Sequence, residues 1–163
     1  MQIFIYKLNI IQFMKDIRQR IIGLFKEGYC TPQIAKLAKK LKEPATTIHY
    51  NIKKLEQDNC IKTYKAVFDY KKIDEGHCTY VLINLKQEFY GTPEIIAKQM
   101  SKLSQVESVD ITTGDYELLL KLRHKNIDEY YEFVKNLIKN YGVTKIISIT
   151  SLKQMKSEFV ELE

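Results

Sequence analysis

TPQIAKLAKKLKEPATTIHYNIKKLEQDNCI, residues 31–61, spells two short amphipathic helices joined by a tight turn. Ile34, Leu37, Ala38 and Leu41 follow the i, i+3, i+4, i+7 spacing of one buried stripe, which leaves Lys36, Lys39 and Lys40 facing elsewhere. In the second helix Ile48, Ile52 and Leu55 face inward, and Thr46, Thr47, His49, Tyr50, Lys53 and Lys54 are left outward. That outward set carries hydrogen-bonding tips near the helix start and ammonium groups further along. Such a surface can read base edges and hold phosphates, so the pair is expected to be a helix-turn-helix that enters a DNA groove.

The distribution of charge agrees. Residues 14–65 hold 12 Lys and Arg against 5 Asp and Glu, whereas residues 66–163 hold 13 against 15. A modest overall excess ordinarily concerns solubility, but positive charge confined to the helix-turn-helix segment is what a phosphate-binding half shows. A chain of 163 residues can form one large domain or two small ones, and this asymmetry favours two.

Other classes are disfavoured by composition. Cys30, Cys60 and Cys78 are odd in number and lack C-x-x-C spacing, so neither a disulfide framework nor a zinc site is expected, and the expected location is the cytoplasm. No cofactor is expected. The opening MQIFIYKLNIIQF is apolar over 13 residues only, short of the roughly 18 to 20 that a membrane-spanning helix needs, and it has no basic n-region, so neither a membrane segment nor a targeting signal is expected. Ile10, Phe13, Ile17, Ile21 and Leu24 keep helical spacing. Residues 1–13 therefore either extend the first helix backwards or precede a true start at Met14.

The first helix is expected over about 14–26, with Ile17, Ile21, Leu24 and Phe25 on one face and Gly28 as its left-handed stop. Thr31 reads as the N-cap of the next helix with Pro32 at its first position. The third helix opens after Pro44 and ends at Asp58 and Asn59. IKTYKAVFDY (61–70) alternates and is rich in β-formers, which predicts a hairpin whose Lys62 and Lys65 form a wing reaching toward a phosphate backbone.

The second half has another order. CTYVLINLK (78–86) predicts a strand, PEIIAKQMSKL (93–103) a helix, VESVDITT (106–113) and ELLLKLR (117–123) strands, and KIISITSL (145–152) the last strand. Between the last two lies a helix with the apolar stripe Tyr130, Phe133, Val134, Leu137, Ile138 and Tyr141, a capping pair Asn126 and Glu129, and a stop at Gly142. βαββαβ is the ferredoxin-like split arrangement, with both helices on one sheet face. The uncovered apolar face is expected to pack against a second copy.

LAKKLKEPATTIHYNIKKLEQDNCIKTYKAVFDY (37–70) and TTGDYELLLKLR (112–123) together resemble the Lrp/AsnC, or feast/famine, family of transcription regulators, over about residues 14–155. The resemblance implies an α+β protein with an N-terminal winged helix-turn-helix and a C-terminal ferredoxin-like, RAM-type domain. It implies the divisions 14–60 for the DNA-binding domain, 61–76 for wing and linker, and 77–163 for dimerisation and effector binding. The implied function is sequence-specific regulation of transcription by a homodimer or a larger assembly such as an octamer, modulated by an amino acid or related metabolite. This chain has Lys42, Glu43 and Pro44 where the family usually carries Gly, an apolar residue and Ser, and Asn51 where Arg is common, so base preference does not transfer.

Candidate DNA contacts are Thr46, Thr47, His49, Tyr50 and Asn51, with Lys53, Lys54, Lys62 and Lys65 on phosphates. An ordinary solvated helix face would present the same residue types; the adjacent basic wing favours DNA. Thr112, Thr113, Gly114, Asp115 and Tyr116 can be a plain hairpin turn, but the resemblance implies an effector site there, where Asp115 and the Thr hydroxyls would hold an ammonium or carboxylate. Ser148 and Thr150, on a strand expected to be adjacent, would share it. His77 and His124 are expected at the surface. Asp115 with Glu117 lacks a nucleophile, metal or third group, so no enzyme is expected. Two rivals share the architecture: a siroheme decarboxylase subunit, whose loop carries basic and His residues where this chain has Thr113, Gly114 and Asp115, and an interaction module that pairs with a paralogue and binds nothing else.

Overall fold

Gly28 stops the first helix, α1 (residues 21–26), by taking a left-handed conformation at φ +96°. The computed structural model describes residues 21–157, 160 and 161, so the opening 1–13 and the expected start of α1 lie outside the described residues. α2 spans Ile34–Leu41 and α3 spans Ala45–Gln57. α2 begins later than the sequence predicts: its N-cap is Gln33 rather than Thr31, because the Leu37 N–H bonds to the Gln33 carbonyl at 3.1 Å and sets the first turn there. Between the helices Lys42 adopts φ +56°, the left-handed position that Gly fills at no steric cost, and the Lys42 and Glu43 N–H groups both bond to Ala38 O. Asn59 takes φ +56° just beyond α3, as its place in the sequence predicts.

The expected wing hairpin over 61–70 is absent. Tyr64 makes one isolated parallel bridge, with Tyr29, and its hydroxyl donates to Glu56 Oε1 at 3.1 Å, which ties the segment back to α3. No return strand follows, because Asp69 caps a 3-10 turn over Tyr70–Ile73 by accepting the Lys71 N–H at 3.2 Å. The chain divides into two compact units between Ala66 and Val67, inside the stretch read as wing and linker.

In the second unit β1 (His77–Leu85), β2 (Val106–Ile111), β3 (Leu118–His124) and β4 (Val143–Ser151) form one antiparallel sheet in the order β2-β3-β1-β4. α4 (Pro93–Met100) and α5 (Ile127–Asn140) complete the expected βαββαβ order. Val81, Ile83 and Leu85 alternate along β1 and pack with Leu118, Leu120 and Leu122 of β3, and with Ile96, Met100, Phe133 and Leu137 of the helices. Each fully buried Leu or Ile contributes roughly 1.5–3 kcal/mol, so this cluster carries the unit. The other face bears Tyr80, Leu82, Leu119, Ile147 and Ile149, where Leu82 lies opposite both Leu119 and Ile147. Two short strands, β5 (Lys156–Ser157) and β6 (Val160–Glu161), pair separately.

α5 starts where its capping pair predicts: Asn126 Oδ1 accepts the Glu129 N–H at 2.9 Å, and the Glu129 carboxylate accepts the Lys125 N–H at 2.7 Å. Phe133 and Leu137 are buried, but Ile138 is 57% exposed, because it lies one helical step round from Leu137 and beyond the covered face. Gly142 ends the region at φ +62°, where an added Cβ would come within 2.5 Å of Phe89 Cε2.

His124 is not at the surface. It is 3% exposed, stacks on His77 with centroids 5.6 Å apart, and lies 5.1 Å from the Tyr130 ring. A carbonyl can only accept, so the 3.0 Å contact from Nδ1 to Asn126 O puts the proton on Nδ1, and Nε2 then accepts from the Thr79 hydroxyl at 2.9 Å. Sequence reading missed this because β3 pairing, not local pattern, brings Thr79 and His77 to it. Burial pushes the His124 pKa below 6.5, the bond to Asn126 opposes the shift, and His77 adds to it.

Gly142→Ala should destabilise the protein by more than about 1 kcal/mol through left-handed strain alone, with the Phe89 clash on top, whereas Lys42→Gly should stabilise it by up to about 1 kcal/mol. Urea unfolding midpoints of the two variants check both signs. Because the unfolded His124 gains its proton near its ordinary value while the folded one resists, stability should be full above about pH 6.5 and fall as pH drops through the folded value. His124→Gln, whose amide reaches the Nε2 position and keeps an acceptor for Thr79, should flatten that decline in denaturation curves between about pH 7.5 and 5.5.

Candidate nucleic-acid interface and effector turn

α3 buries Ile48 at 7% exposure and half-buries Ile52, which turns the remaining circumference outward. Ala45, Thr46, His49, Tyr50 and Lys53 stand at i, i+1, i+4, i+5 and i+8, a single face of the helix. With Ile34 of α2 they line an open groove of about 490 Å³ whose walls are almost wholly apolar atoms. Tyr50 is 68% exposed. Thr47 and Asn51 lie round the helix from the groove, and the Asn51 amide folds back, Nδ2 donating to the Thr47 carbonyl at 2.8 Å. Thus the structure gathers Thr46, His49, Tyr50 and Lys53 together, leaves Lys54 at the margin beside Tyr50, and turns Thr47 and Asn51 away.

No side chain caps the start of α3, and its first turn has no acidic residue, which leaves its first backbone N–H groups without a capping side chain. Lys53 Nζ lies 3.0 Å from Glu56 Oε2, and bonds from Lys53 and then Tyr64 hold the Glu56 carboxyl below its ordinary pKa. Lys62 and Lys65 are exposed on the segment after α3, though not on a wing.

The turn between β2 and β3 is held from beneath. Thr112 N–H bonds to Glu117 O at 3.0 Å and Thr112 Oγ1 donates to Tyr116 O at 2.6 Å, while Gly114 takes φ +102°. Glu117 accepts the Leu85 N–H at 2.8 Å through Oε2, and Asn84 Nδ2 donates to the Asp115 carbonyl. Lys145 Nζ sits 5.4 Å from the Tyr116 ring centroid. Thr113, Gly114 and Asp115 are exposed above this frame. Sequence reading missed Asn84, Glu117 and Lys145 as its supports; only the i+2 relation of Glu117 to Asp115 hinted at one of them.

Ser148 and Thr150 are elsewhere. β4 pairs with β1, not with β2, so Ser148 is opposite Val81 and Thr150 opposite Thr79, both on the helix-covered face. The Ser148 hydroxyl bonds to Tyr130 OH. Within one chain the β4 residue beside the turn is Lys145, which is opposite Asn84.

At the far end of β1 a cavity of about 540 Å³ has Cys78 and Arg123 in its lining, with Tyr70, Leu152 and Met155 among the residues around it. Arg123 is 6% exposed and its charge is answered: Nε meets Glu107 Oε2 at 2.6 Å, Nη2 meets Gln154 Oε1 at 2.5 Å, and the guanidinium lies 3.7 Å from the Tyr70 ring centroid. Burial pushes the Glu107 carboxyl up, but bonds from Lys121 and Arg123 outweigh that and hold it below the usual range. Burial raises the Cys78 thiol, which keeps it protonated and a poor nucleophile. Among the described residues no cluster of three His, Cys, Asp or Glu side chains can hold a metal, and no helix is long and apolar enough to cross a membrane.

Residues 78–160 match the Lrp/AsnC ligand binding domain. An uncharacterised HTH-type transcriptional regulator of Pyrococcus horikoshii is 32% identical over 148 residues, which is 90% of this chain and 98% of that protein. The crystal structure of an AsnC family transcriptional regulator from Agrobacterium tumefaciens superposes with a TM-score of 0.69 at 24% identity, covering 85% of this chain and 90% of the other. A transcriptional regulator from Neisseria meningitidis, solved as an L-Met complex, gives a TM-score of 0.67 at 20% identity over 83% and 87%. These two show the shared fold.

If Glu117 is the anchor of the turn, Glu117→Ala should leave the Leu85 N–H without that acceptor and cost about 1–3 kcal/mol. Amide hydrogen exchange should then accelerate at Leu85 and Thr112 while the β1–β4 ladder near Thr79 stays protected.

Proposed function

We propose, for a chain that belongs to the Lrp/AsnC family of HTH-type transcription regulators, that α3 binds duplex DNA in the major groove and that the C-terminal unit pairs two chains and senses an amino acid. The observation that carries this reading is the outward face of α3. Thr46, His49, Tyr50 and Lys53 share that face, Lys54 adjoins it, and the half of the sequence that contains it holds 12 basic residues against 5 acidic. Base edges are read by short polar and apolar side chains near the helix start, and phosphates by lysines beyond them. Lys53, Lys54, Lys62 and Lys65 serve as the phosphate contacts.

Pairing follows from the sheet. Ile147 and Ile149 are 38% and 55% exposed on a face that also bears Leu82 and Leu119, and an uncovered apolar strip of this kind favours association with its own copy. A two-fold pair presents its recognition helices to successive major grooves, about 34 Å apart, on a pseudo-palindromic site.

The effector reading rests on Thr112, Thr113, Gly114, Asp115 and Tyr116. Exposed hydroxyls and the Asp115 carboxylate stand on a turn held by Asn84 and Glu117, and Lys145 adds a cation beside it. Groups of both signs suit the ammonium and carboxylate of a free amino acid, and the L-Met complex of the Neisseria regulator supports that class of ligand. Ser148 and Thr150 form no part of this site within a chain. Glu117 is occupied in holding backbone, which argues against a carboxylate pair acting on a substrate.

Lys54→Ala should weaken binding to specific and random duplexes alike and lower the slope of log affinity against log salt by about one. Fluorescence anisotropy from about 0.05 to 0.2 M salt reads this directly. An unchanged slope would remove Lys54 from the phosphate set.

A further inference from the structure

We propose that α3 identifies thymine through its C5 methyl group, received against the Tyr50 ring beside Ala45 and the Thr46 methyl; this rests on the DNA-binding reading above. Of the four bases, thymine alone presents a methyl group in the major groove, and it is read by apolar contact. The outward groove of α3 is lined almost wholly by apolar atoms, from Ile34, Ala45, Thr46, His49, Tyr50 and Lys53. An apolar wall at the centre of a DNA-reading face has one base feature to meet.

The polar alternatives on the same helix are weak. α3 contains no Arg, and of its two lysines, the other side chains that meet guanine, Lys53 is held by the Glu56 carboxylate at 3.0 Å. Of the two amides that could pair bidentately with adenine, Gln57 is the last residue of the helix and outside the groove lining, and Asn51 has its Nδ2 committed to the Thr47 carbonyl at 2.8 Å and stands round the helix from the groove. Tyr50 is 68% exposed and lies across the helix from Ile48 and Ile52, so its ring points away from the buried side of α3. Charge decides what kind of partner the groove takes. Lys53, already 3.0 Å from Glu56, forms its rim and Lys54 adjoins it, so a polyanion that brings methyl groups between phosphates fits, whereas an apolar peptide makes no use of the Lys54 charge.

The test begins with duplexes selected from a random library by the full-length protein. Each dT is then replaced singly by dU, which deletes the methyl group and keeps every hydrogen-bonding atom. Burying one methyl group accounts for about a four-fold change in affinity, so at least one position in each half-site should weaken by about that factor at fixed salt. Tyr50→Ala should bind the dT and dU duplexes equally with an unchanged salt slope, and Tyr50→Phe should retain the discrimination. If a selected duplex outcompetes random DNA yet every dU replacement binds as the parent does, this inference falls and the DNA-binding reading stands. If no duplex is preferred over random DNA, both fall.

Discussion

Alternation along β1 is the constraint on which the C-terminal unit depends. Val81, Ile83 and Leu85 are wholly buried against α4 and α5, and a strand repeats every two residues, so Tyr80, Leu82 and Asn84 must face the other way. β3 and β4 inherit the division through their register: Leu120 and Ser148 flank Val81, while Leu119 and Ile147 flank Leu82. A slip of one residue would exchange the two faces completely. The proposed pairing surface is therefore a consequence of the same pattern that builds the core.

The two ends of β1 serve different purposes for a related reason. At the Leu85 end, Asn84 and the Leu85 N–H hold the β2–β3 turn through Asp115 O and the Glu117 carboxylate, so the exposed Thr113, Gly114 and Asp115 stand on a fixed base. At the His77 end, Thr79 and the Asn126 carbonyl satisfy both ring nitrogens of His124 while burial disfavours its charged form, and Arg123 is neutralised by Glu107 on the opposite face. Buried polar groups with complete partnerships stiffen that end of the sheet.

The N-terminal unit has a thinner core. Ile48, at 7% exposure, is its one buried hydrophobic among the described residues, and Leu41 and Leu55 are 60% and 44% exposed. Its shape relies instead on local devices: the left-handed Gly28, Lys42 and Asn59, and the Tyr64 hydroxyl on Glu56. Those devices leave one side of α3 free for a partner. Asn51 illustrates how a local bond redistributes function, since donating to Thr47 O removes it from the face where Tyr50 and His49 stand.

What residue order alone determined was every element that a local period or cap specifies. Helical spacing identified α2, α3 and α5, alternation identified the four main strands, and Asn126, Gly28, Asn59 and Gly142 marked ends where the structure has them. Sequence also showed the charge division and the family. Tertiary structure decided whatever depends on which strand lies beside which. β4 joins β1 rather than β2, so Ser148 and Thr150 leave the turn and Lys145 joins it; β3 carries His124 inward against Thr79; and Tyr64 finds Tyr29 where a hairpin was expected. Local periodicity fixes the direction in which a side chain points. What it meets there is set by pairings between residues dozens of positions apart, and no window of sequence contains both partners.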